Sequence, residues 1–410
     1  MTPLSFREEL EEGRFTHPAS ACRDFNMIPS EEVKDIAINL GIPLPNVEKD
    51  HVMGWLLYSI YDNPALVDNL ILKGGNCLRK IYFPDTRFSD DLDFTTYRLN
   101  SEKEFHRHLN SVCKVVEEKA GIKFDFDKTR VEVKPTPDKD SQALDGRVYF
   151  KGFAGDSSVT MRIKFDVSEY EKIVLPLQRH PIIHVYSDAD MLQSKILCYS
   201  LEEILAEKLR SWIQRTRSRD LFDIVKIIDS NAIPVSKTNI LSTFFKKTIF
   251  KNVPIAGRDE MLYESKFAEI EQSWQQTIIC PSTAIIIASN AIALFRNFVT
   301  ALFEPDILKA IGVAASPSKA YLYNIRSGIR ETIIHAGRAR QLIRMRYDNK
   351  DRDIEPYSFR FKITQKGYGA EYFYGYDRTR GQKIKMFFLH QIQSLSVLPE
   401  KYLPRWVVEF

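Results

Sequence analysis

The stretch from Leu70 to Phe94 constrains this chain more than any other. Leu70-Ile-Leu-Lys reads as a short apolar strand, Gly74-Gly75 breaks it, and a helical segment carrying Leu78, Arg79 and Ile81 follows. Glycines let a backbone approach a phosphate closely, and a helix start offers free N–H donors with a positive dipole. No Walker A pattern is present. Next comes Arg87-Phe-Ser-Asp-Asp-Leu-Asp-Phe. With Asp91–Phe94 as a strand, a period of two puts Asp91 and Asp93 on one face and turns Leu92 and Phe94 to a core. Asp90 reads as their solvated neighbour. Two carboxylates roughly 7 Å apart repel, and a shared divalent cation with oxygen ligands, usually magnesium, relieves that repulsion.

A third carboxylate obeys the same logic. In Val159–Val167 the apolar Val159, Met161, Ile163, Phe165 and Val167 alternate with Thr160, Arg162, Lys164 and Asp166, as in a strand with one wet face. Beside the Asp91–Asp93 strand, Asp166 completes three carboxylates able to hold one or two metals for in-line phosphoryl or nucleotidyl transfer. A lone Gly-Gly is a plain turn and a lone D-x-D a solvated strand end; their succession within twenty residues points to a metal–nucleotide site.

The fold class read from the pattern is α+β. Residues 1–70 form a helical lead-in, 70–187 a mixed sheet core containing two polar or turn-rich stretches (Lys134–Gly146 and Lys151–Ser158), and 188–311 a helical part. Together they make one domain over 1–315. Gly312–Ser318 reads as a linker. A helix from Ala320 to about Gln341 and short alternating segments follow, ending with Trp406–Phe410, and suggest a small β-barrel or sheet over 320–410.

Charge and cysteine usage narrow the partners. Residues 321–410 carry 17 Lys and Arg against 9 Asp and Glu, so the tail is basic while the whole chain is only +4. That excess attracts polyanions. The five cysteines form no C-x-x-C pair, which excludes a disulfide framework or a cysteine zinc site and fits a reducing cytoplasm. The acidic start, with Glu8, Glu9, Glu11 and Glu12, is unlike a signal peptide. The charge-free run Thr277–Phe295 is interrupted by Pro281, Ser282, Thr283, Ser289 and Asn290, and reads as a buried helix from near Ser282 with no membrane role. The histidines supply no rival chemistry, since His106 and His108 lie two apart on a charged helical segment and would not face one metal.

At these residues the sequence resembles the AbiEii/AbiGii-type nucleotidyltransferase toxins, a branch of the DNA polymerase β-like nucleotidyltransferase superfamily. The resemblance runs from Val47-Glu-Lys-Asp-His through Lys73-Gly-Gly and Arg87-Phe-Ser-x-Asp-Leu-Asp to Glu207-Lys-Leu-Arg and Arg219-Asp-Leu-Phe-Asp, over residues 30–300. Asn76 stands where the family usually has threonine. The resemblance implies a polymerase β-like core with a helical second half. It also implies a toxin that binds a nucleoside triphosphate through one or two Mg²⁺ and moves a nucleotide onto an acceptor, often the 3′ end of tRNA, under the control of an antitoxin. By position it assigns Gly74, Gly75 and Asn76 to cradling phosphate, Ser89 to supporting the loop or triphosphate, and Asp91 and Asp93 to the metal. It assigns Lys208 to neutralising triphosphate charge, and Asp220 to acting as a base or orienting the acceptor. By pattern alone Lys208 is equally an edge lysine of an amphipathic helix, and Asp220 a helix cap. Arg215, Arg217 and Arg219 either bind RNA phosphate or decorate a solvated turn.

The tail resembles a WYL domain, an Sm/SH3-like barrel, through Ile343-Arg-Met-Arg-Tyr, Arg352-Asp-Ile-Glu-Pro-Tyr, Tyr372-Phe-Tyr-Gly-Tyr-Asp and Ile392-Gln-Ser-Leu-Ser-Val. Tyr372-Phe373-Tyr374 replaces the namesake triplet. Arg352, Arg360, Arg378, Arg380, Lys383 and Lys385, with neighbouring tyrosines, offer the contacts that nucleic-acid binding needs, unless the tyrosines are core and the barrel a dimerisation or antitoxin-docking unit. The expected protein is thus a cytoplasmic, metal-dependent nucleotidyltransferase toxin of a toxin–antitoxin or antiphage system, with an RNA acceptor and an antitoxin or operon partner. Its rivals are a non-catalytic sensor acting through the barrel, and transfer to a protein or small molecule.

Overall fold

The structure is a computed structural model that describes residues 28–136, 142–230, 235–251, 257–311, 323–363 and 369–409. The expected linker Gly312–Ser318, the start of the helical lead-in and Cys22 lie outside the described residues. Helix α1 spans Ser30–Leu40 and α2 Leu44–Tyr61. Strand β1, Ile71–Lys73, turns at Gly74 into the short helix α3, Gly74–Cys77, which runs on as a π-helical turn over Leu78–Tyr82. Then come β2 (Asp91–Thr95), α4 (Glu102–Ala120), β3 (Arg130–Pro135), β4 (Gln142–Lys151), β5 (Thr160–Ser168), β6 (Gln178–Pro181) and β7 (Lys195–Cys198). The helical part holds α5 (Leu201–Arg215), α6 (Ser218–Asp229), α7 (Lys237–Phe250), α8 (Arg258–Met261), α9 (Glu264–Thr277), α10 (Ala288–Leu302) and α11 (Pro305–Ala310). Helix α12 (Tyr323–Arg338) precedes β8 (Gln341–Tyr347), β9 (Lys350–Ile363), β10 (Gly369–Asp377), β11 (Lys383–Phe388) and β12 (Ile392–Lys401).

Among the described residues the chain divides into two compact units, one of residues 28–171, 175–200 and 274–287, the other of 172–174, 201–273 and 288–409. The first is built on a seven-stranded sheet in the order β3-β4-β5-β2-β1-β7-β6. The pairs β2/β5 and β1/β7 are parallel and the rest antiparallel. Period-two alternation separates its faces. Leu92, Phe94, Leu144, Val148, Ile163 and Phe165 are buried, and α4 packs there through Phe105 and Leu109. A Ser101–Glu104 capping box starts α4, and Gly121, at φ 71°, ends it. The opposite face carries the polar residues of the same strands.

The second unit contains the five-stranded antiparallel sheet β11-β10-β9-β8-β12. Its core gathers Ile343, Met345, Ile354, Phe373, Phe387 and Ile392 with Ile333 and Ala336 of α12. The α+β class holds, with three local corrections. In the segment read as polar or turn-rich, Lys134–Gly146, the described residues are mostly strand, 134–135 of β3 and 142–146 of β4: Asp145-Gly146 imitates a turn pair but lies inside β4, where a Cβ on Gly146 would come within 2.8 Å of Leu109 Cδ1. The helix expected from Ser282 begins only at Ala288, after a 3-10 turn at Ser282–Ala284; the β-branched Ile285 and Ile287 lie between them, exposed. The last strand is β12 rather than Trp406–Phe410. Pro399 hides it in the sequence, and the sheet tolerates that proline because β12 is an edge strand. No helix among the described residues is long and apolar enough to cross a membrane.

Candidate active site

The site grows from strand register. Lys73 of β1 lies opposite Asp93 of β2, Asp93 opposite Asp166 of β5, Asp166 opposite Asp145 of β4, and Asp145 opposite Glu132 of β3. Residues in one transverse row point to the same face, so four carboxylates and one lysine line up across five strands. Asp91, two residues before Asp93, shares that face and stands opposite Lys164. The expected convergence of Asp91, Asp93 and Asp166 is therefore present.

Four cations answer this acidity from within the fold. Lys164 Nζ lies 2.9 Å from Asp166 Oδ2, Lys73 Nζ donates to Glu171 at 2.9 Å, and Asp145 pairs with Arg147 and Lys134. Burial raises the Asp91 carboxyl above its ordinary pKa; Lys164 opposes this, and like charges on Asp90 and Asp166 add to it. Burial pulls Lys164 down, but Asp166, Asp91 and Asp145 outweigh it and the ammonium is held above its usual value. A carboxylate cluster that must recruit a lysine and still resists ionisation at Asp91 suits a hard divalent cation with oxygen ligands.

The glycine turn is built against this cluster. Gly74 has φ 75°, and a Cβ there would run into Asp93 Oδ2. A Cβ on Gly75 would approach Arg87 Nη2 at 2.8 Å and Ser89 Oγ at 2.9 Å, so Ser89 does border the turn. Asn76 is fully buried, and its Nδ2 donates to Asp91 O at 2.7 Å, Ser89 O at 3.3 Å and Met53 Sδ at 3.2 Å. Its side chain thus braces the loop before β2 and leaves only its backbone for a phosphate. Asp90 is not merely solvated, since Lys49 Nζ donates to it at 3.2 Å.

Helix α2 fixes the surrounding loops. Arg79 donates to Asp50 Oδ1 at 2.6 Å and to the carbonyls of Pro84 and Thr86, both at 2.9 Å, while its guanidinium stacks 3.5 Å from the Phe88 ring. Lys80 Nζ and Tyr186 Oη donate to the other Asp50 oxygen. Burial penalises the Asp50 charge, but Arg79 and Lys80 overcome it and hold the carboxyl far below the usual range.

One buried polar group carries no motif in the sequence. His51, His184 and Asp188 bring ligand-type atoms within 4.8 Å of one another. Each Nε2 lies 2.9 Å from an Asp188 oxygen, and Trp55 Nε1 donates to the same carboxylate at 2.8 Å. Both Nδ1 atoms are buried without a partner. A metal on Nε2 would leave two buried N–H donors unsatisfied, whereas neutral Nε2–H tautomers leave only acceptors bare. The triad is therefore a hydrogen-bonded hub. Burial pushes His184 down to about 4, against its hydrogen bond to Asp188. Pattern could not find it: 133 residues separate Trp55 from Asp188.

Lys208 and Asp220 lie in the second unit. Lys208 Nζ is 3.1 Å from Asp220 Oδ1 and 2.7 Å from Asp223 Oδ2, and Arg215 grips Asp220 at 2.8 and 2.9 Å. Burial raises Asp220, but Lys208 and Arg215 win and hold it far below the ordinary carboxylate range. Such a carboxylate is a weak base and suits orienting Lys208. Nor does it cap a helix: Arg217 occupies the N-cap of α6. Arg215, Arg217 and Arg219 are exposed, with Arg215 engaged by Asp220.

In the tail, three of the six expected nucleic-acid contacts are already paired. Arg352 and Lys385 each reach Asp377 Oδ2 at 2.8 Å, and Arg378 reaches Glu355 at 2.7 Å and Glu400 at 2.8 Å. Arg380 and Lys383 are exposed; the side chain of Arg360 lies outside the described residues. Tyr372 and Phe373 are buried, as core residues.

No curated protein matches the chain. Among solved structures, MenT4, a nucleotidyltransferase toxin of Mycobacterium tuberculosis, is 16% identical with a TM-score of 0.49; the match covers 74% of this chain and 99% of that one. JHP933 from Helicobacter pylori is 16% identical with a TM-score of 0.41, over 66% of this chain and 95% of that one. The family described as nucleotidyl transferase AbiEii toxin, type IV TA system, matches residues 55–279, which contain the glycine turn, all three aligned aspartates and the Lys208–Asp220 cluster. This chain belongs to the AbiEii nucleotidyltransferase toxin family and is a nucleotidyltransferase.

Proposed function

We propose that this protein is a magnesium-dependent toxin that transfers a nucleotide from a nucleoside triphosphate to the 3′ end of an RNA, such as tRNA. An antitoxin would hold it in check, in a toxin–antitoxin or antiphage setting within the bacterial cytoplasm. One observation carries the reading: Asp93 and Asp166 are register partners on adjacent parallel strands, with Asp91 on the same face. Asp91, Asp93 and Asp166 would hold one or two Mg²⁺. The bound ion would supply charge neutralisation at the triphosphate and a lower pKa at the attacking hydroxyl. The chain's own contribution is placement. Gly74 and Gly75 let the backbone close on the phosphates beside Asp93, Asn76 and Arg79 hold the loop that presents Asp91, and Ser89 borders the phosphate side of the turn.

The test incubates full-length protein with each radiolabelled nucleoside triphosphate and total cellular RNA, with Mg²⁺ or with EDTA. Label should enter RNA only with Mg²⁺, and Asp93→Asn should lower transfer at least about a hundredfold, the scale of losing a transition-state charge contact. Equal labelling by wild type and variant would remove the site assignment. Label appearing on protein instead would replace RNA as the acceptor.

A further inference from the structure

The acceptor still needs a surface, and the register that aligns the carboxylates also aligns cations. Immediately beside the acidic row, Arg130 of β3 lies opposite Arg147 of β4, and Arg147 opposite Lys164 of β5, which in turn faces Asp91. One step further along the same face, Tyr149 pairs with Arg162, and beyond them Lys151 pairs with Thr160. Like charges placed directly across strands about 5 Å apart destabilise a sheet, so this row is not explained by folding alone.

Neither does internal charge balance account for it. Lys164 and Arg147 lean on Asp166 and Asp145 with side chains 23% and 21% exposed. Arg130, Lys151 and Arg162, however, are exposed; Arg130 donates to Tyr149 Oη at 3.4 Å and Lys151 to Thr160 Oγ1 at 3.1 Å, so neither of those bonds neutralises a charge. Helix α4 covers the opposite face, where Leu109 and Phe105 meet Gly146. Among the described residues, Arg130, Lys151 and Arg162 leave the basic face exposed.

We infer that the open sheet face formed by Arg130, Arg147, Tyr149, Lys151, Arg162 and Lys164 binds the sugar–phosphate backbone of a single-stranded RNA end and leads its terminal hydroxyl to Asp91. This deepens the proposed function and rests on its RNA acceptor. Rows two residues apart are separated by roughly 7 Å along the strands. The patch therefore spans only a few nucleotides, the size of a single-stranded end. A partly exposed tyrosine amid cations gives a base something to stack on, as sheet-face RNA readers do. The carboxylate row Glu132–Asp145–Asp166–Asp93 borders the patch on one side and repels phosphates, which confines the strand to the path that ends at Asp91.

The test uses full-length protein and a fluorescent twelve-nucleotide single-stranded RNA, with binding read by anisotropy at several salt concentrations. Arg130→Glu/Arg162→Glu reverses two exposed charges; Arg380→Glu/Lys383→Glu does the same on the competing surface of the tail. The sheet variant should bind at least tenfold more weakly, with the log–log salt slope reduced by about 1.4, two phosphate contacts at about 0.7 each. It should raise KM for RNA without changing KM for the nucleotide, and the tail variant should stay within twofold of wild type. Wild-type affinity in the sheet variant, or loss confined to the tail variant, overturns the surface. Transfer to RNA that needs Asp93 yet ignores Arg130 and Arg162 also overturns the surface and leaves the proposed function standing. RNA binding that depends on Arg130 and Arg162, with no nucleotide transferred to RNA, overturns the acceptor and with it the path to Asp91.

Discussion

Gly74 and Gly41 both sit in left-handed backbone, at φ 75° and 65°, and they separate strain from function. A Cβ on Gly41 meets nothing within 4 Å, so Gly41→Ala adds only the conformational cost of about 1–2 kcal/mol. A Cβ on Gly74 adds the same strain and also displaces the Asp93 carboxylate. Gly74→Ala should therefore lose transfer activity by tenfold or more at a drop in urea midpoint similar to that of Gly41→Ala, while Gly41→Ala keeps its activity. Matched activity losses in the two variants would mean that the close approach of Gly74 to Asp93 is incidental.

At the scale of elements, helix α2 does what no amphipathic count would suggest. Glu48, Asp50 and His51 are all buried on it. Glu48 accepts from the backbone N–H groups of Phe153 and Ala154 at 2.7 and 2.8 Å, Asp50 binds Arg79 and Lys80, and His51 reaches Asp188. Three segments distant in sequence are thereby tied to one helix. Asp50→Ala would leave two buried cations uncompensated, and breaking such a buried pair costs about 3–5 kcal/mol. Urea denaturation should show that loss, with Asp50→Asn intermediate; a change under 1 kcal/mol would mean water reaches Arg79 and Lys80. These links were illegible in the sequence because their partners are distant and carry no periodicity. The site carboxylates were legible for the opposite reason. Asp91, Asp93 and Asp166 each sit in a strand whose apolar alternation states which way a side chain points. Lys164 stood in that alternation too, but its role depends on register, which a single strand does not reveal. Asp145 was obscured by the glycine after it.

For the molecule as a whole, His184 and three depressed aspartates make stability fall as acidity rises, with the raised Asp91 carboxyl opposing them. His184 is pushed down to about 4 from an ordinary 6.5, so between those values the unfolded chain binds a proton that the folded chain refuses. Stability is then complete above pH 6.5 and falls as pH drops toward 4, by up to ~3 kcal/mol from this group. Asp50, Asp188 and Asp220 are depressed by their cations and hydrogen-bond donors, and their contribution is present above pH 3.8 and declines below it. The two windows follow one another, so no acidic plateau separates them. The urea midpoint followed by tryptophan fluorescence should fall steadily from about pH 6.5 to pH 4.5. His184→Gln keeps an N–H donor for Asp188 but cannot titrate, so it should be less stable than wild type at pH 7 and show a flatter dependence between pH 6.5 and 4.5. An equally steep slope in that variant would assign the acid sensitivity elsewhere and leave His184 a bystander to the folding equilibrium.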